Sequence, residues 1–354
     1  MTSQRLLLVG NPEGVHVGAH LYEGAQAIGV PVGLCDTRKA AEGPRWLVSL
    51  NWRLRRHRPS RLRSFSENLV QACRDFRPTW LLSTGLAPID KQALIGIRDL
   101  GIMRLNYLTD DPWNPAHRAP WFLDALPHYD HVFSPRQSNL ETLRAHGCRE
   151  VSYLPFAYSP SQHYSERVQP EEEAMLASDV IFVGGADRDR LPLVSALIAA
   201  GLRVALYGGY WNRYPETRTH DRGHADPSIL RKATAAARIA LCLVRRANRD
   251  GHVMRSFEIP AMGACMLVEY TEEHREIFGP DAETVVYFRS IPEMIDKVSW
   301  LLDRPAERQR LAAAAHSRIV NGCHTYRDRL AAMLGLGIKG NEDRYRSPRP
   351  LSFV

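Results

Sequence analysis

Short apolar runs alternate along this chain with stretches whose apolar positions recur every three to four residues. In the first half the runs predict strands over 4–10, 30–36, 79–85, 103–109, 131–134 and 151–154, and the periodic stretches predict helices over 14–28, 62–76, 89–100 and 136–146. In the helix over 62–76, Phe65, Leu69, Cys73 and Phe76 fall on one face, as a core face does. Strand–helix alternation with short connections implies parallel sheet with right-handed crossovers. A second series follows, with strands over 179–185, 203–209, 239–244, 265–270 and 284–288 and helices over about 191–200, 229–237 and 305–319. Ser290 and Glu293 have capping-box spacing with Pro292 in the first turn, so another helix starts there.

Between the two series the pattern lapses into Tyr, Ser, Pro, Gln and three consecutive glutamates. The pattern predicts an α/β chain of two Rossmann-like, doubly wound domains: 1–160, a linker over 161–178, a second domain over 179–335 and a tail over 336–354. A length of 354 residues agrees with two domains. In such sheets ligands bind outside the carboxyl ends of the strands, so a central cleft faced by both domains is expected.

Composition narrows the class. With 44% hydrophobic and 24% charged residues the chain reads as an ordinary globular protein, and no apolar run nears the ~20 residues of a membrane helix. The six cysteines are scattered without a C-x-x-C pair, which suggests reduced thiols and a cytoplasmic location. The net charge of +7 is local. Seven arginines (45, 53, 55, 56, 58, 61, 63) lie between Gly43 and Ser66 with no acid among them, and setting them aside leaves 39 basic against 39 acidic residues. They flank Trp46, Leu47, Trp52 and Leu54. Arginine interleaved with tryptophan suits an anionic surface, and a peripheral membrane contact through Arg53, Arg55, Arg56, Arg58, Arg61 and Arg63 is the expectation; a solvated basic segment is the other reading. Nucleic acid is not the expected partner.

The chemistry-bearing stretch is RRANRDGHVMRSFEIPAMGA, which leaves the strand over 239–244 and opens a short helix. A strand-to-helix loop offers N–H groups and a helix dipole to an anion. Together with NYLTDDPWN, HVFSPRQSNLETLRAHG, VSYLPFAYSP, VIFVGG, LYGGYW and HTYRDRL, its RSFEIPAMGA block resembles the GT-B glycosyltransferases, and within them the CgeB-like family named for a bacterial spore-maturation protein. The resemblance covers nearly the whole length. It implies retaining transfer of a sugar from a nucleotide-diphosphate donor to a glycan or lipid-linked acceptor, with no metal and no cofactor. It also implies two acids with seven residues between them, matched by Asp250 and Glu258, with Glu258 on the ribose hydroxyls and Asp250 facing the donor sugar. The family pattern has Glu at the first place, so Asp250 is a shorter side chain than the pattern expects.

The remaining candidates follow from that chemistry. Without a metal, arginines must neutralise the leaving diphosphate, which singles out Arg255 and one of Arg188 and Arg190, the other being a solvated loop arginine. Gly184 and Gly185 form a tight turn whether or not a phosphate lies on it. Tyr210 and Trp211 could flank a base or simply pack, and His252 joins the donor-side candidates. Asp110 and Asp111, ahead of Pro112, could bind hydroxyls or cap a helix, and Gly14 and His16 occupy the first strand-to-helix loop. Asp187-Arg-Asp189 imitates a metal-binding triplet, but flanking arginines are poor company for a cation. A non-catalytic module binding an anionic polymer, and another GT-B chemistry such as nucleotide-sugar epimerisation, are the competing readings.

Overall fold

The computed structural model describes residues 4–43, 51 and 56–336. The chain divides into two compact units: Met1–Pro155 with Ala247–Arg249 and Tyr326–Val354, and Phe156–Arg246 with Asp250–Thr325.

The first unit runs β1 (Leu6–Gly10), α1 (Val17–Ala27), β2 (Val32–Asp36), α2 (Leu62–Phe76), β3 (Trp80–Thr84), α3 (Lys91–Asp99), β4 (Met103–Tyr107), α4 (Pro120–Ala125), β5 (His131–Ser134), α5 (Gln137–Ala145) and β6 (Glu150–Tyr153). Its six strands form one parallel sheet in the order β2-β1-β3-β4-β5-β6. Strands buried on both faces read as continuous apolar runs, as LLLV of β1 does. Phe65, Leu69 and Cys73 of α2 pack against Leu7 and Leu81 of the sheet, and burial pushes the Cys73 thiol up to about 12. The short helix α4 has too few turns to show a period, and Pro120 at its start is its only sequence mark.

The second unit runs α6 (Pro170–Leu176), β7 (Ser178–Val183), α7 (Leu191–Ala199), β8 (Val204–Tyr207), α8 (Pro227–Ala236), β9 (Ala237–Cys242), α9 (Arg255–Ala261), β10 (Met266–Glu269), α10 (Glu272–Phe278), β11 (Val286–Phe288), α11 (Ile291–Leu302) and α12 (Pro305–Val320). Its sheet is parallel, in the order β11-β10-β9-β7-β8. In both sheets the strand order reverses once, between β1 and β3 and between β7 and β9. Those reversals leave a crevice at the strand ends where doubly wound sheets take ligands.

Two boundaries differ from the sequence reading. The segment over 161–178 is not a bare linker. It holds α6, capped by Gln169 and Glu172, and it is tied to α8 by Glu166–Arg231 and Glu172–Lys232 ion pairs of 2.6 Å each. The glutamate run fills the first turn of α6, where the helix dipole favours acids. The second difference is α13 (Tyr326–Met333), which belongs to the first unit and packs on α1, with His20 stacked on Tyr326 at 5.1 Å. The sequence reading names no helix there and places the stretch in the second domain.

Candidate functional site

At the C-terminal end of β7 the chain turns through Gly184 and Gly185, and the turn is built against the loop after β8. Gly184 N–H donates to Tyr207 O at 2.8 Å and Ala186 N–H to Gly209 O at 2.9 Å. Gly208 has φ 140°, and a Cβ there would lie 2.5 Å from Gly184 O, so the backbones cross closer than any side chain permits. Trp211 is fully buried, edge-on to Phe182, with its indole N–H on Gly184 O at 2.8 Å. It is a strut of the turn and offers no face to a base. Tyr210 is 56% exposed, with Arg213 over its ring.

The arginines of this turn separate. Arg190 is buried, donates to Gly185 O at 3.2 Å and lies 3.5 Å from the Asp187 carboxylate. Burial and the nearby Arg245 lower its pKa from the usual arginine value. Arg188 is exposed. Asp187 accepts from the backbone N–H of Asp189 and Arg190 and faces Arg190 and Arg245, so it organises the start of α7. Among the described residues no three His, Cys, Asp or Glu side chains gather as a metal site.

Beyond β9 the loop to α9 is held from three sides. Glu269, at the end of β10, accepts Val244 N–H at 3.1 Å and pairs with Arg246 at 2.9 Å. Thr271 donates to Gly251 O, and Glu273 pairs with the fully buried His252 at 2.7 Å. The other His252 nitrogen accepts Phe156 N–H at 3.1 Å, so both ring nitrogens serve the loop. A Cβ on Gly251 would fall inside the Glu273 carboxylate, which explains the glycine. Arg245 N–H donates to the Asp250 carboxylate at 3.3 Å, and Asp250 N–H to Arg245 O at 3.3 Å. That reciprocal pair sets Asp250 at the loop's exit. Helix α9 then brings Arg255 against Val183 O at 3.3 Å and into an ion pair with Glu258.

Glu258 is 1% exposed, a costly place for a carboxylate unless it is paired. Besides Arg255 it faces His163 Nε2 at 3.6 Å. His163 Nδ1 accepts Ser159 N–H at 3.0 Å, which leaves the ring proton on the nitrogen facing Glu258. Under the helix, Ser256 donates to His274 Nε2 at 2.8 Å while His274 Nδ1 donates to Glu269 O at 2.8 Å. Burial lowers the His274 pKa to about 4. Thus Gly184, Gly185, Arg190, Asp250, Arg255 and Glu258 gather around the ends of β7 and β9, whereas Trp211 and His252 lie in the interior. His163, Glu269 and Glu273 carry no sequence signal of their own, because their roles depend on distant partners.

In the first unit the two adjacent acids part. Asp111, 2% exposed, takes a forked contact from Arg249 (Nε to Oδ2 2.6 Å, Nη2 to Oδ1 3.2 Å), and Arg249 also reaches Asn139 Oδ1 at 2.8 Å. Asn114 Nδ2 donates to the buried Asn248 Oδ1 at 2.6 Å. Asp111 also accepts Trp113 N–H at 3.0 Å. It therefore fastens Ala247–Arg249, and the helix α4 that follows is not capped by it. Asp110 instead lines a cavity of about 390 Å³. Gly14 and His16 are exposed on the β1–α1 loop, His16 lying 3.6 Å from Glu13. Of the arginine patch, Arg56, Arg58, Arg61 and Arg63 are described; Arg45, Arg53 and Arg55, with Trp46, Leu47, Trp52 and Leu54, lie outside the described residues.

Residues 190–335 match the family model described as glycosyl transferase-like. Most of that stretch lies in the second unit, which is thus similar to a glycosyltransferase domain. No curated protein matches the chain in sequence. Among solved structures, sucrose-phosphate synthase from Thermosynechococcus elongatus superposes at a TM-score of 0.65, with 13% identity over 94% of this chain and 98% of that one. HepE from Anabaena in complex with UDP gives 0.60, with 12% identity over 94% and 100%. A putative UDP-N-acetylglucosamine 2-epimerase from Listeria monocytogenes gives 0.56, with 14% identity over 94% and 95%. At such identities the likeness concerns the fold: two parallel-sheet Rossmann-like units, as in GT-B glycosyltransferases.

Proposed function

We propose that the protein transfers a sugar, with retention and without a metal, from a uridine diphosphate sugar to a hydroxyl of a glycan or lipid-linked acceptor. The observation that carries this is the buried Glu258 carboxylate beside Arg255, next to the Gly184–Gly185 turn, inside the stretch that matches the glycosyl transferase-like model. HepE, of the same fold, has been solved with UDP and with UDP-glucose, which favours uridine over other bases. In this reading Glu258 accepts the two ribose hydroxyls, exchanging its hold on His163 for them. Arg255 and the N–H groups of the turn neutralise the diphosphate as the glycosidic bond breaks. Asp250, fixed by Arg245 N–H, faces the donor sugar. The first unit takes the acceptor.

The test is a thermal-shift panel of UDP, GDP, dTDP and CDP with and without EDTA, followed by the anomeric configuration of the product by NMR. A ligand at a hundred times its dissociation constant adds about 2.7 kcal/mol to the stability of the folded state. UDP alone should raise the transition, EDTA should leave it unchanged, and Glu258→Ala should abolish the rise. No shift with any diphosphate would overturn the reading in favour of a non-catalytic module.

A further inference from the structure

The first unit contains a cavity that the donor chemistry does not use. Its floor is the C-terminal edge of the sheet. Thr37 lies after β2, Leu86 and Pro88 after β3, and Asp110 after β4, while Trp121 of α4 and His57 close the side. At about 390 Å³ it falls within the range of small-ligand pockets, about 300–1,000 Å³. Its lining joins apolar side chains to Asp110, Thr37, two histidines and an indole, which suits a sugar ring: hydroxyls on Asp110, a C–H face on Trp121.

A second hollow of about 590 Å³ lies beside this cavity and shares the wall formed by Pro59 and Trp121. The second hollow carries Arg56, Arg58 and Arg63, with Asp124 on its wall. Arg61 and Arg63 are neutralised by Glu42 at 3.1 Å and Glu67 at 2.9 Å. Arg56 and Arg58 are exposed and, among the described residues, have no carboxylate within ion-pair distance. The segment that presents them is unusual. Arg56 and His57 are consecutive non-glycine residues in the left-handed region, at φ 50° and 61°. The conformation is held by the Trp121 indole N–H on His57 O at 3.1 Å and by His57 Nδ1 against Arg118 O at 2.8 Å. Left-handed backbone held by surrounding contacts clusters at ligand sites. Here the same tryptophan walls the cavity and fixes the arginines.

We infer that the acceptor carries a phosphate or diphosphate next to its accepting sugar, the sugar ring entering the cavity at Asp110 and the phosphate lying on Arg56 and Arg58. This rests on the glycosyltransferase reading and narrows its acceptor. Two guanidinium forks match phosphate oxygens bidentately, which a merely cationic membrane patch does not need. The phosphate could come from a soluble sugar phosphate or from a lipid-linked sugar diphosphate, and the measurement below separates them.

The experiment is titration calorimetry on the full chain with glucose, glucose 1-phosphate and inorganic pyrophosphate, alongside co-sedimentation with phosphatidylcholine vesicles containing or lacking phosphatidylglycerol. The variants are Arg56→Ala/Arg58→Ala and Arg58→Lys. Glucose 1-phosphate or pyrophosphate should bind the wild type at least about tenfold more tightly than glucose. The double variant should erase that difference, and Arg58→Lys should recover only part of it. UDP affinity and melting temperature should stay unchanged in both. Preference for glucose 1-phosphate assigns a soluble acceptor; preference for pyrophosphate, a diphosphate one. Equal binding of glucose and both phosphates, or a difference that survives the double variant, overturns the inference. So does binding of phosphatidylglycerol vesicles without binding of either phosphate. UDP binding is read separately, so loss of UDP binding in the wild type refutes the donor site, not the groove.

Discussion

The buried histidine beneath α9 makes stability of the second unit depend on pH. His274 is wholly enclosed, and its two nitrogens are already committed to Ser256 and the Glu269 carbonyl. A proton on it would need a charge without water and would break the bond from Ser256, which is why burial lowers its pKa to about 4 from 6.5. A folded-state pKa below the unfolded value means that the unfolded chain binds the proton first. The contribution to stability is therefore complete above about pH 6.5, falls as pH drops toward 4, and is gone below both values. At about 1.4 kcal/mol per pH unit, the loss between pH 7.5 and 4.5 comes to about 2–3 kcal/mol.

The assay is hydrogen exchange of peptides covering α9 and β10, which reports local opening of this unit. Wild type is compared with His274→Gln at pH 7.5, 6.5, 5.5 and 4.5. Comparison at matched pH cancels intrinsic exchange rates and the titration of other groups. The glutamine variant is weaker at pH 7.5, because it disturbs a buried hydrogen-bonded site, and the gap should close by about 2–3 kcal/mol on acidification. A gap that stays constant across this range would show that His274 titrates alike in both states and would refute the reasoning.

Two further outcomes follow from the site. Arg249→Ala leaves the buried Asp111 carboxylate and Asn139 Oδ1 without their partner, so the first unit should lose about 2–4 kcal/mol in urea unfolding, while Asp111→Asn with Arg249→Ala should recover part of it. Trp211→Ala should cost about 3–5 kcal/mol in the second unit, because it empties a core position, whereas Tyr210→Ala should stay within about 0.5 kcal/mol. If either aromatic touches the base, Tyr210→Ala is the one that lowers UDP affinity, which calorimetry reads.

The strand and helix pattern was legible because both sheets are parallel and buried, so their strands read as apolar runs and their helices as amphipathic periods. Every strand expected in the first half is present, and α2 has the bounds that its spacing predicts. Neither α13 nor its allegiance was legible, since its buried face mixes Asp328 and Arg329 with apolar residues and sequence does not say which sheet a segment covers. The same limit applied to the site. Asp250, Arg255 and Glu258 stand in one short stretch and could be picked out together. Trp211 next to Tyr210 could not be sorted into core and surface, because two neighbours after a strand differ only in which way the turn carries them. His163, which reaches Glu258 from 95 residues away in sequence, depends wholly on the tertiary fold.

The acids show how the fold assigns work to residues that look alike in sequence. Glu258, Glu269 and Glu273 are all nearly buried, and a buried carboxylate is tolerated only where charge or hydrogen bonds compensate it. Glu269 and Glu273 hold the loop over 244–252, Glu269 through Val244 and Arg246 and Glu273 through His252. Glu258 stands on α9 and faces two other side chains. Its partners are the side chains of Arg255, which stays one-third exposed, and His163, whose 3.6 Å approach is too long for a strong hydrogen bond. Partners of that sort can be exchanged for a ligand's hydroxyls without unmaking the backbone around them. Glu269 and Glu273 therefore keep the loop in shape, and Glu258, held by a partly exposed arginine and a distant histidine, is the carboxylate placed to change partners.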